Sequence, residues 1–127
     1  ALRADPKYIT QTRIDAIYGL LDLMDTALNA AKRQTKPLLI LYGANDDLVT
    51  KKSICEMLKV LKGKKWRLVV YPDGYHLLFR DLKATLVVND MASWLRGQQN
   101  KFPSGYEQNN QTMLKTVHSF CIRASKP

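Results

Sequence analysis

Two short stretches hold the side chains best suited to chemistry. Gly43-Ala44-Asn45-Asp46-Asp47-Leu48-Val49 carries adjacent carboxylates, and Asp73-Gly74-Tyr75-His76 carries one of only two histidines. A carboxylate bonded to an imidazole fixes the ring's tautomer and stabilises the imidazolium. Such a pair can take a proton from a nucleophile and return it. The same residues also fit plainer roles, since an Asp after a glycine is a frequent turn or helix-cap residue and a His in a turn can simply face solvent. The distinction turns on whether the two loops meet.

The elements around the loops bring them together. Leu38-Leu39-Ile40-Leu41-Tyr42, opened by Pro37 and ended by Gly43, has the length and continuous hydrophobicity of a strand covered on both faces. Arg67-Leu68-Val69-Val70-Tyr71, closed by Pro72, predicts a second strand. Between them Thr50 caps a helix with the stripe Ile54, Met57, Leu58 and Leu61, and Gly63 stops it. Beyond the second strand Asp81 caps another helix, with the face Leu82, Leu86, Val87, Met91, Trp94 and Leu95 and an end at Gly97. Upstream, after a loop over the first ten residues, Ile14, Ile17, Tyr18, Leu21, Met24, Leu28 and Ala31 mark one helical face. Thr12 and Asp15 have the spacing of a capping box, and Lys32-Arg33 suits the helix end. Helices alternating with strands predict an α/β fold with parallel strands. Reactive groups in such sheets gather beyond the C-terminal ends of the strands. Both loops therefore belong on one edge, where a carboxylate of the first and the imidazole of the second can meet.

The order of these motifs over Lys36 to Leu95 resembles the end of an α/β-hydrolase of the monoglyceride lipase and lysophospholipase type, related to the serine aminopeptidases. In that family a strand leads into Gly-x-x-Asp-x-apolar-apolar, seen here as Gly43 to Val49, and the aspartate maps to Asp46. The next strand leads through a tyrosine and a glycine turn to the histidine, seen as Tyr71-Pro72-Asp73-Gly74-Tyr75-His76. Trp94-Leu95 matches the family's closing helix, and Asp5 to Ala31 is similar to the segment returning from the lid. The resemblance implies the C-terminal part of an α/β-hydrolase fold, with its last parallel strands and flanking helices. It makes Asp46 and His76 the triad acid and base. Asp47 falls one residue out of register and is expected to serve the loop or the solvent.

The family nucleophile sits in Gly-x-Ser-x-Gly at a strand-to-helix turn. None of Ser53, Ser93, Ser104, Ser119 and Ser125 has that setting. The expectation is a fragment of a serine ester hydrolase acting on a lipid-like or other carboxylic ester, with the serine on a missing N-terminal part and no metal or organic cofactor. A peptidase of the same fold and a non-catalytic interaction domain are the alternatives. On this reading residues 1–97 belong to the hydrolase domain, with 1–35 as lid-return segment and helix and 36–97 as the strand-helix-strand-helix part. Residues 98–127 form a polar linker and basic tail in which His118 is structural or exposed. A sheet cut in half predicts self-association through exposed apolar surface.

Length and composition bound the rest. The chain has 127 residues, 46% of them hydrophobic, which is enough for one ordinary domain. Its net charge of +9 is concentrated in Lys51, Lys52, Lys59, Lys62, Lys64, Lys65 and Arg67, set against Glu56 alone. That cluster reads first as a solvated face, with peripheral contact to anionic membranes as a second use. Only Trp66 accompanies it, so no nucleic-acid partner is expected. Cys55 and Cys121 match neither a disulfide framework nor a zinc spacing. They read as inert thiols of a reducing, cytoplasmic setting. The opening ALRADPKY has neither a signal pattern nor an initiator Met, so the chain reads as entered in mid-sequence. Gln98 to Gln111 is rich in Gln, Asn and Gly, as in linkers. Met113, Leu114, Val117, Phe120 and Cys121 have the spacing of a short docking helix.

Overall fold

The computed structural model describes residues 11–61, 63–97, 101–108 and 120–121, arranged in two units divided after Arg33. The first unit supplies helix α1, Ile14–Ala31, none of whose residues is buried. The capping box does not form. Asp15 instead turns to Arg13, whose guanidinium donates to it at 2.9 and 2.7 Å, so this ion pair takes the carboxylate that the cap required.

The second unit is built on two parallel strands, β1 (Leu38–Gly43) and β2 (Trp66–Tyr71), joined through helix α2 (Lys51–Val60). Their register runs from Leu38 opposite Trp66 to Gly43 opposite Tyr71, so both strands end level. Thr50 caps α2 as its sequence predicts, its side chain accepting from the Ser53 amide. Ile54, Cys55, Leu58 and Leu61 are buried, and Gly63 leaves the helix at a φ of +79°, where a side chain would be strained. The Trp66 indole donates to the Leu61 carbonyl and ties the start of β2 to the end of α2.

A single 3-10 turn, Leu78–Arg80, intervenes before helix α3, Ala84–Leu95. Asp81 therefore does not cap α3; its carboxylate accepts from the Tyr75 amide instead, and Leu82 is fully exposed. The face of α3 that turns inward carries Val87, Asp90 and Ser93. Val69, Tyr71, Leu78, Val87 and Phe102 form a core cluster, flanked by Leu39, Leu41, Leu86, Trp94 and Tyr106.

Phe102 in that cluster shows that residues 101–108, within the span expected to be a polar linker, are packed. Residues 101–108 lie along the free edge of β2. The Val70 amide donates to Tyr106, the Gln108 amide donates to Leu68, and Val69 forms an antiparallel bridge with Glu107. Glu107 takes Arg67 in a two-pronged ion pair at 2.6 and 2.7 Å, while the same guanidinium lies 3.8 Å from the centre of the Phe102 ring. Backbone bonds to an open edge and one buried aromatic ring hold the segment, whatever its polar composition.

The cysteines also depart from expectation. Cys55 and Cys121 form a disulfide across 66 residues, with their Cα atoms 5.8 Å apart. Folding brings α2 and the tail together, which separation along the chain does not reveal. The inference of a reducing compartment rested on unpaired thiols, and the pairing removes that support. Met113, Leu114, Val117 and His118 lie outside the described residues.

Candidate functional site

Since β1 and β2 end level, the loops that leave them start side by side. The Ala44 amide donates to the Tyr71 carbonyl, and the Asn45 amide donates to the Gly74 carbonyl, both at 2.9 Å. The loops approach so closely that a Cβ placed on Gly43 would lie 2.6 Å from the carbonyl oxygens of Gly74 and Tyr75. Glycine at position 43 is a condition of the contact.

Across this seam Asp46 and His76 meet, with Oδ2 of the carboxylate 3.0 Å from Nδ1 of the imidazole. The other oxygen, Oδ1, accepts from the amides of Leu48 and Val49 at 3.0 and 2.9 Å. An aspartate that bonds the amides two and three residues on makes its own turn, and that turn fixes the carboxylate in place. The Asp46 side chain is 7% exposed, against 41% for His76. The acid is held inside the loop and the ring faces outward.

Protonation follows from the geometry. Burial alone would push the Asp46 carboxyl up, but the Val49 amide, the His76 ring and the Leu48 amide together outweigh it and hold the group below its ordinary value. Asp46 is thus ionised near neutral pH and can only accept hydrogen bonds. Nδ1 must then carry the proton, which leaves Nε2 of a neutral ring with its lone pair free. Nε2 makes no hydrogen bond among the described residues, so the pair is arranged as a general base facing outward.

The surroundings hold the histidine loop from behind. The Tyr71 hydroxyl donates at 2.8 Å to Asp90, which is completely buried and also accepts from the Ser104 amide. Burial, and then the hydrogen bond to Asp90 and its charge, push the Tyr71 hydroxyl well above its ordinary value. Tyr71 leads directly into the histidine loop, so this network joins β2, α3 and the 101–108 segment beneath His76. Lys83 bridges to Asp73 at 2.5 Å on the outer side of the same loop.

Both residues singled out in the sequence are therefore brought together, and Asp47 is exposed beside them. Ser53 shares a hydrogen bond with Thr50, the Ser104 hydroxyl accepts from the Tyr106 amide, and Ser93 is buried on α3. None of these three reaches Nε2. Sequence reasoning missed the Gly43 seam, the Tyr71–Asp90 bond and the Glu107 anchor. Only the first left a signal, a glycine at the end of each strand loop.

A carboxylate–imidazole pair at the C-terminal edge of parallel strands is an arrangement used by hydrolases of the α/β class. The family model described as serine aminopeptidase, S33, matches residues 1–83, and the chain belongs to that family, within the α/β-hydrolase superfamily. The matched span includes both Asp46 and His76. No solved structure matches the chain.

Proposed function

We propose that Asp46 and His76 are the acid and the base of a serine-hydrolase triad whose nucleophile lies outside these 127 residues. The observation that carries the reading is the 3.0 Å bond between an outward-facing imidazole and a carboxylate pinned by two amides. The serine hydroxyl would give its proton to Nε2 as its oxygen attacks the carbonyl carbon. The imidazolium, held by Asp46, would then protonate the leaving group, and water would release the acyl group by the same steps. No Gly-x-Ser-x-Gly stands in the chain, so the triad needs a further segment of the same fold. Leu38, Leu39, Ile40 and Leu41 of β1 are only half-buried, and further strands of the parent protein would cover them.

The substrate we propose is a carboxylic ester with a lipid-like acyl chain. Leu48, Tyr75, Leu77 and Phe79 are all more than half exposed and belong to the two loops of the dyad and the turn that follows. An apolar rim of this kind suits an acyl chain or a membrane surface. The description of the family as aminopeptidases favours a second reading, in which the bond cleaved is an amide.

The test is made on the complete gene product that contains this chain. Labelling with a fluorophosphonate, read by intact mass, should place one adduct on a serine. Asp46→Asn should lower kcat by about 10⁴-fold, the scale set by the wrong imidazole tautomer. His76→Ala with near-normal turnover would sink the assignment. Parallel rates on a long-chain ester and an aminoacyl amide separate the two readings.

A further inference from the structure

The pair Phe120–Cys121 lies far from the loops in sequence and against one of them in space. The Phe120 ring meets Tyr42 edge to face, with centroids 6.2 Å apart and planes at 87°. The Lys51 ammonium lies 4.7 Å from the centre of the same ring. Tyr42 is the residue before Gly43, where the Asp46 loop leaves β1, and Lys51 is the first residue of α2, where that loop ends. One aromatic ring therefore touches both ends of the segment that holds Asp46.

The disulfide explains how the ring is kept there. Cys55 stands four residues after Lys51 on α2, which places the two side chains on one face, a single turn apart. Cys121 is bonded to Cys55, and its chain neighbour Phe120 is thereby set over Lys51 and beside Tyr42. Tyr42 is itself buried, and its hydroxyl is pushed up by that burial and then by the negative charge of Asp46. The brace thus bears on a residue close enough to sense the carboxylate.

We infer that Phe120, fastened by the Cys55–Cys121 disulfide, is a positioning residue for Asp46 that clamps both ends of its loop through Tyr42 and Lys51. The inference rests on the reading of Asp46 and His76 as the reacting pair. Phe120 acts on the pair only through Tyr42 and Lys51. Its effect is to hold the loop ends, and so the Leu48 and Val49 amides, in the places from which they fix Oδ1.

Amide hydrogen exchange across residues 44–50, measured by mass spectrometry on the complete gene product, tests the clamp directly. Phe120→Leu keeps an apolar side chain and the disulfide while removing the ring, and Cys121→Ser removes the fastening. Both should speed exchange at Leu48 and Val49 by about five- to thirtyfold, the scale of one aromatic pair with one cation over a ring, with β1 amides unchanged. The same variants should lower kcat with little change in KM, and Phe120→Tyr should restore both. Unchanged exchange in Phe120→Leu overturns the clamp, even if Cys121→Ser fails to fold. If Asp46→Asn keeps its turnover, the catalytic reading fails instead, and the exchange result still decides whether the ring holds the loop.

Discussion

Gly43→Ala is the substitution that asks most of the geometry. A single methyl would be added at the end of β1, and it would meet the carbonyl oxygens of Gly74 and Tyr75 at 2.6 Å. Ordinary contact begins at 3.4 Å, so the two loops must separate by about 0.8 Å. The obstructing atoms are backbone, and no rotamer change relieves them. The movement lies across the seam that Asp46 and His76 bridge. Passed on in full, it would stretch their 3.0 Å bond beyond hydrogen-bond reach.

Overpacking of this kind costs about 1–3 kcal/mol of stability. A displacement near 1 Å at a reacting group costs about a hundredfold in rate. Under the proposed mechanism Gly43→Ala should therefore lose kcat by about that factor and lower the unfolding midpoint. Gly74→Ala is the milder comparison. A methyl there meets first a Leu78 methyl at 2.7 Å, the end of a side chain that can turn aside, and then Tyr71 Cβ at 3.0 Å. It also meets the Gly43 Cα across the seam at 3.2 Å, a milder approach than the 2.6 Å of Gly43→Ala. Its effect should be the smaller. Steady-state kinetics on a chromogenic ester and a thermal melt of each variant make the comparison. Full turnover in Gly43→Ala would refute the claim that the seam sets the dyad distance.

The network beneath His76 gives a pH prediction. The Tyr71 hydroxyl is raised above its ordinary value in the fold, so its contribution is whole below about 10 and declines as pH rises beyond that point. In an ultraviolet phenolate titration Tyr71 should ionise last, and Tyr71→Phe should abolish that late step. Phe102→Ala removes a ring that is 2% exposed and should destabilise the fold by about 3–5 kcal/mol in chemical denaturation. A cost below about 1 kcal/mol would mean that the 101–108 segment is a loose linker after all.

How far the sequence foretold this depends on the range of each interaction. The strands, the caps at Thr50 and Gly63, and the meeting of Asp46 with His76 were legible because each follows from local pattern or from parallel strands ending level. Asp46 also announces its own turn, since the amides it binds are those of Leu48 and Val49. The Thr12–Asp15 box failed through a local competitor, Arg13, which composition does not rank against a cap. Leu82 and Leu95 fit a helical stripe yet are exposed, because the inward face of α3 centres on Val87, Asp90 and Ser93. Most elusive were the long-range pairs. Arg67 and Glu107 stand 40 residues apart and Cys55 and Cys121 stand 66 apart, so nothing in the spacing of either pair points to the other partner.

The two halves of the dyad are held in opposite ways, and that difference bears on how the site works. Asp46 spends one oxygen on two amides and the other on Nδ1, so turning the carboxylate would break three bonds at once. His76 has its ring edge in the open, anchored through Nδ1. The acid cannot follow a moving base, and the base cannot leave the acid without losing the tautomer that frees Nε2. Under the proposed mechanism a nucleophile would therefore be delivered to Nε2 by a framework fixed against these same strands. The seam at Gly43, the Tyr71–Asp90 bond below and the Phe120 ring beside the loop all resist displacement in this one region. Among the described residues these contacts gather behind the Asp46–His76 pair, while the apolar side chains of Leu48, Tyr75, Leu77 and Phe79 stay exposed. Under the proposed mechanism, a proton-transfer pair that must hold its geometry through turnover calls for that division.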